Sequence, residues 1–208
     1  QMKKASKYFK EAQELNPSDE SLWTDIGHCL SRMEDKEGAL EAFKKAASSK
    51  PTPRDLYNLG DAYLAIDDPE KSIAPLVAAT REDPSYSLAH YNLSLAFVRM
   101  GKYNEGAKAA IAALRPDPEM KLAQTNLGMS LMNRRRYDEA LECYQRNIKL
   151  FDSTYFNMGL TLFRMKRFKD ALECFLNALK ISPDDPEYLD LVGQTYCELG
   201  KHKIGESY

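Results

Sequence analysis

The sequence predicts an all-α chain built as a tandem repeat, and three observations carry that expectation. A small residue recurs in one frame at Gly27, Gly60, Ser94, Gly128, Gly159 and Gly193, at intervals of 33, 34, 34, 31 and 34 residues. The surrounding segments read DIGHCL, NLGDAY, NLSLAF, NLGMSL, NMGLTL and LVGQTY. About twelve residues after each comes a second small residue: Ala39, Ser72, Gly106, Ala140, Ala171 and Gly205. Proline closes four units, at Pro51, Pro84, Pro118 and Pro183. A period of this length marks supersecondary units that bury their apolar faces only by stacking. Small residues on facing helices let the axes approach closely, and proline ends a helix because it lacks the backbone donor.

Each unit has its own justification. Residues 1–19 carry Ala5, Phe9, Ala12 and Pro17, the second-helix columns of a unit whose first helix is missing. Unit 20–52 fills its columns with Trp23, Gly27, Ala39, Phe43 and Ala46. Unit 53–86 has Leu56, Leu59, Gly60 and Tyr63, then Asp68 before Pro69 as an N-cap with proline in the first turn. Its second helix continues with Ser72, Leu76 and Ala79, but Pro75 lies inside it and predicts a kink. Unit 87–120 departs with Ser94 in the glycine column, followed by Phe97, Gly106 and Ala113. Unit 121–151 has Gly128, Ala140 and Tyr144, yet Asn147 stands where alanine is usual. The short interval there removes about one helical turn near Lys149 to Ser153 and predicts a local change of twist. Unit 152–185 restores the pattern with Tyr155, Gly159, Phe168, Ala171, Phe175 and Ala178. The last unit, 186–208, stops inside its second helix, so the chain reads as a piece of a longer array.

These columns resemble the tetratricopeptide repeat over essentially the whole chain. The resemblance implies a right-handed superhelical solenoid of antiparallel helix pairs, with the first helices lining a concave groove. It also implies a non-catalytic scaffold for other proteins.

Composition and motifs agree with an interaction module. The 29 Lys and Arg against 31 Asp and Glu leave a formal net charge of -2, without the basic excess of a nucleic-acid binder. No apolar stretch is long enough to span a membrane, and no signal peptide opens the chain. Cys29, Cys143, Cys174 and Cys197 form no CxxC pair and read as small core residues of a reducing, cytoplasmic compartment. No cofactor or metal is expected. There is no phosphate loop, HExxH or GxSxG, and His28, His90 and His202 are far apart, so no enzyme is expected in this segment.

The column two residues before the glycine column reads Asp25, Asn58, Asn92, Asn126, Asn157 and Leu191. Asparagine is a mediocre helix former, so propensity does not explain four copies. Its amide offers both donor and acceptor, as a peptide backbone requires. In related repeats such asparagines bond the main chain of an extended peptide, which implies a ladder of Asn58, Asn92, Asn126 and Asn157 here. The alternative is that they bond only to neighbouring helices. Around them, Tyr57, Tyr91 and Phe156 stand one residue before and Leu95, Met129 and Leu160 three after. Leu64, Val98, Met132 and Phe163 follow by six, and Arg99, Asn133 and Arg164 by seven. Aromatic and methionine side chains suit an adaptable apolar pocket, and arginine suits an acidic group or a terminal carboxylate. The two-carboxylate clamp of chaperone adaptors in this family is not matched.

At the turns within units, Lys102, Arg136, Arg167 and Lys201 share a column with Asp35 and Asp68, giving an edge that runs from acidic to basic. The function expected is therefore capture of an extended segment of a partner protein in the groove. The alternatives are structural assembly by self-association, or service as the targeting arm of a larger enzyme.

Overall fold

The computed structural model describes residues 20–146 and 152–201. Eleven helices and no strand occur among them: α1 (Glu20–Arg32), α2 (Lys36–Ala46), α3 (Pro53–Ala65), α4 (Pro69–Glu82), α5 (Ser87–Arg99), α6 (Tyr103–Leu114), α7 (Lys121–Asn133), α8 (Tyr137–Gln145), α9 (Asp152–Arg164), α10 (Phe168–Ile181) and α11 (Pro186–Glu198). The expectations for Ala5, Phe9, Ala12, Pro17, Asn147, Lys149 and Gly205 lie outside the described residues.

Every odd-numbered helix ends in the same way. The middle residue of the turn that follows is left-handed: Glu34, Asp67, Gly101, Arg135, Lys166 or Gly200. In the third unit Gly101 N donates to Val98 O at 3.0 Å and Lys102 N to Phe97 O at 2.8 Å. The same two bonds recur in all six turns, and this Schellman arrangement satisfies the last carbonyls while reversing the chain. Helix starts are chemically marked as well. Thr52 and Asp55 form a capping box before α3, and Asp68 accepts from Lys71 N ahead of Pro69. α4 runs through the buried ring of Pro75 as one helix from Pro69 to Glu82.

The glycine column holds each pair together. A Cβ at Gly60, Gly128 or Gly159 would stand 2.5, 2.5 or 2.6 Å from the side chain of Leu76, Tyr144 or Phe175, and Gly27 meets Phe43 in the same way. In the third unit bulk is exchanged across the pair: Ser94 replaces glycine, and the column of large residues holds Ala110. Both are fully buried, and Ser94 Oγ donates to Gly106 O at 2.9 Å.

Each helix packs on the next in sequence, so the array is an all-α solenoid of antiparallel pairs. First helices of adjacent units also touch, α3 with α5, α5 with α7 and α7 with α9, more extensively than second helices do. First helices therefore lie on the inside of the curve. The cysteines correct one expectation. All four are free, but Cys197 is exposed, while Cys174 is buried and its thiol is pushed up to about 11 by that burial.

Candidate functional site

The inner wall places the asparagine column nearly out of solvent. Asn58, Asn92, Asn126 and Asn157 are 4%, 3%, 5% and 7% exposed. Asn58 Nδ2 donates to His28 Nε2 at 3.4 Å, and Asn92 Nδ2 donates to Asp61 Oδ1 at 2.8 Å. Both acceptors stand in one column of the preceding unit, three residues after its own asparagine position. That column then changes chemistry, from His28 and Asp61 to Leu95, Met129 and Leu160. An alkyl side chain accepts nothing. Asn126 Nδ2 is buried without a hydrogen-bond partner among the described residues. The first two asparagines thus bond to neighbouring helices, as the alternative reading had it, and the third does not.

Among the apolar candidates, Tyr57, Tyr91, Leu95, Met129 and Phe156 are half-buried on the inner helices. Phe156 leans between units, its ring centroid 5.0 Å from Tyr188 and 6.3 Å from Phe175. Leu64, Val98 and Met132 are buried core residues rather than groove lining, a correction that follows from their packing between helices. Two residues escaped the sequence reading: Leu88 and Leu122, four before Asn92 and Asn126, are 43% and 49% exposed. The signal was a further column of the same repeat.

The arginines are partly engaged by their own chain. Arg99 Nη1 donates to Leu64 O at 2.9 Å and lies 3.4 Å from Asp67 Oδ1. Arg164 Nη1 donates to Asn133 Oδ1 at 3.1 Å, and Asn133 Nδ2 donates to Met129 O at 2.9 Å. On the turn edge, Arg136 and Arg167 pair with Glu139 and Asp170 one turn on, exposed pairs worth well under about 1 kcal/mol each.

The charge of Asp61 is felt at Tyr57, Tyr86 and Tyr91. The Tyr57 and Tyr86 ring centroids are 5.2 Å apart. Burial pushes the Tyr57 phenol up to about 12, helped by the charge of Asp61. Burial raises Tyr86 and Tyr91 too. No group of three or more His, Cys, Asp or Glu among the described residues is arranged to hold a metal ion. No helix among them is long and apolar enough to cross a membrane.

Family models described as tetratricopeptide repeat match residues 20–53, 57–99, 91–152 and 152–185. No curated protein matches the sequence. Among solved structures, the Cut9–Hcn1 hetero-tetramer of the APC/C is similar at 16% identity and a TM-score of 0.79. That match takes in 94% of this chain but only 39% of the other, so the chain spans well under half of that relative's length. YrrB, described as a TPR protein with an unusual peptide-binding site, is 22% identical over 87% of this chain and 95% of its own, with a TM-score of 0.67. MamA 41-end from Desulfovibrio magneticus RS-1 is 19% identical over 81% and 98%, with a TM-score of 0.71. With repeat matches running from residue 20 to 185 and the paired-helix solenoid in place, the chain belongs to the tetratricopeptide-repeat family.

Proposed function

We propose that this protein-interaction scaffold takes an extended segment of a partner protein into its concave groove, and that Asn126 is the main-chain contact. The unpartnered, buried Asn126 Nδ2 carries the reading. A buried donor left unpaired costs about 1–3 kcal/mol, which a main-chain carbonyl of a bound segment would recover. A main-chain carbonyl of the partner reaches that nitrogen once the half-buried Leu95 side chain turns aside. Leu88, Leu122, Tyr91 and Met129 then offer apolar contact on either side. Asn58 and Asn92 act differently, holding the inner helices in register through His28 and Asp61. Arg99 and Arg164 flank the path and meet an acidic group only by releasing the bonds they now make. No catalytic chemistry enters this reading.

The contrast between two variants tests it. Asn126→Ala should stabilise the array, by about 1 kcal/mol, while weakening binding of a peptide selected on the wild type. Asn92→Ala should instead lose about 1 kcal/mol of stability with its bond to Asp61. Leu95→Asp, which repeats the Asp61 to Asn92 pairing one unit on, should close the Asn126 contact and also abolish binding. Undiminished peptide affinity in both Asn126→Ala and Leu95→Asp would sink the proposal.

Self-association is favoured by one separate observation. α10 borders an open concavity of about 550 Å³ where Leu172, Leu176 and Leu179 alternate with Lys169, Glu173, Asn177 and Lys180, and Ile181 at the end of α10 is 53% exposed. Sedimentation of wild type and Leu176→Lys over a range of concentrations distinguishes assembly through this face from a monomeric array.

A further inference from the structure

Asp61 is exposed and pairs with no cation among the described residues, although it lies on the wall of the groove. It sits one turn after Tyr57 on α3, so the two share a helix face. Asn92 Nδ2, donating at 2.8 Å from α5, holds the carboxylate in place, and the charge of Asp61 is felt at the adjacent Tyr91. Tyr86, just before α5, sets its ring 5.2 Å from that of Tyr57, and it too feels the charge of Asp61. The three phenols are neutral at ordinary pH, as any tyrosine is, and burial raises each further. A ring face attracts cations through its quadrupole, and a carboxylate beside several such faces suits an alkylammonium better than any anion or neutral group. Two arginines lie at the margin. Arg99, whose charge is felt at Tyr91, is engaged by Leu64 O and Asp67, whereas Arg54, felt at Tyr86, is exposed and has no comparable contact among the described residues.

We propose that Asp61, with Tyr57, Tyr86 and Tyr91 near it and steadied by Asn92, is a seat for one alkylammonium group, a lysine side chain of the groove-bound segment. This rests on the groove reading for the source of the lysine but on none of the Asn126 chemistry. It also orders the partner: a basic side chain lies toward the N-terminal units, and an apolar stretch lies over Leu95, Leu122 and Met129. Inner helices packed at about 8–10 Å separate the two contacts by roughly three residues of extended chain.

Three small probes, N-acetyl-lysine methylamide, its trimethylammonium form and N-acetyl-norleucine methylamide, are titrated into the full chain while tyrosine ring resonances are followed. Both ammonium probes should bind saturably and move the Tyr57, Tyr86 and Tyr91 signals, and the norleucine probe should not. Tighter binding of the trimethylated probe identifies a methylated lysine as the source, and tighter binding of the plain one an unmodified lysine. Asp61→Asn and Tyr86→Leu, checked for native circular dichroism, should each weaken binding about five- to thirtyfold, and Arg54→Gln should strengthen it. Asn126→Ala should leave the probe affinity unchanged, so this seat and the main-chain contact stand or fall separately. Norleucine binding as well as lysine, or full-strength lysine binding by natively folded Asp61→Asn, overturns the proposal.

Discussion

Asn92 and Asn126 occupy the same column on the same face of successive units and differ only in what lies opposite. For Asn92 the preceding unit offers Asp61, and the amide is satisfied at 2.8 Å; for Asn126 the same column of the preceding unit holds Leu95, and the amide nitrogen has no partner among the described residues. The column was plain in the sequence, and so was the change from His28 and Asp61 to Leu95 and Met129 beside it. The pairing between the two columns was not, because it joins residues about thirty apart and depends on how one unit rotates against the next. A second residue-scale effect sits in the turns, where Arg135 and Lys166 hold φ of 60° and 61° in the position that Gly101 and Gly200 fill elsewhere. A side chain there costs about 1 kcal/mol or slightly more. Lys166→Gly should therefore raise stability by about that amount. Gly101→Ala should lower it by about 1–2 kcal/mol, entirely through the backbone, since an added Cβ meets nothing within 4 Å. Urea midpoints of the two variants, which should move in opposite directions, check both.

Within a helix pair, the unit of packing is the facing couple of small and large residues. Gly27 with Phe43, Gly60 with Leu76, Gly128 with Tyr144 and Gly159 with Phe175 all follow one rule, and a Cβ on any of these glycines would collide with its partner. Ser94 and Ala110 keep the rule with the sizes reversed. Ala110→Leu alone should overpack α5 against α6 and cost about 1–3 kcal/mol. Ser94→Gly alone should cost about 1 kcal/mol, losing the bond to Gly106 O and adding a helical glycine. Together they recreate the Gly60 and Leu76 couple, so the double variant should be more stable than the sum by about 1 kcal/mol or more. Simple additivity in a denaturation cycle would show that the exchange of bulk is not the reason for Ser94. The same scale explains a concentration of unpaired polar atoms. Asn126 Nδ2 and Ser130 Oγ on α7 and Thr154 Oγ1 on α9, buried without a partner among the described residues, stand on either side of the short interval in the repeat. Ser130→Ala, which removes one such hydroxyl and improves helix propensity, should stabilise the array by roughly 1 kcal/mol.

Across the whole array, contacts run only between neighbours, so stability sums over couples and interfaces rather than resting on one central core. Its pH dependence follows from the buried tyrosines. Tyr57 is pushed up to about 12 and Tyr144 is raised further by its burial, while an unfolded chain ionises its tyrosines near about 10. The folded state holds those protons longer, so their contribution is complete below about pH 10 and is lost as pH climbs through the folded values. Unfolding midpoints should fall across that alkaline range, and Tyr57→Phe should flatten the fall. What the sequence determined by itself was everything periodic: the helix pairs, the turns, the glycine couples and the line of asparagines, because each repeats a local or nearest-neighbour rule in a readable column. Only the tertiary structure decided which asparagine remains unpaired among the described residues, which leucines stay exposed and which tyrosines feel the charge of Asp61. Those outcomes depend on the small rotation of one unit against the next, and no single column of residues encodes it.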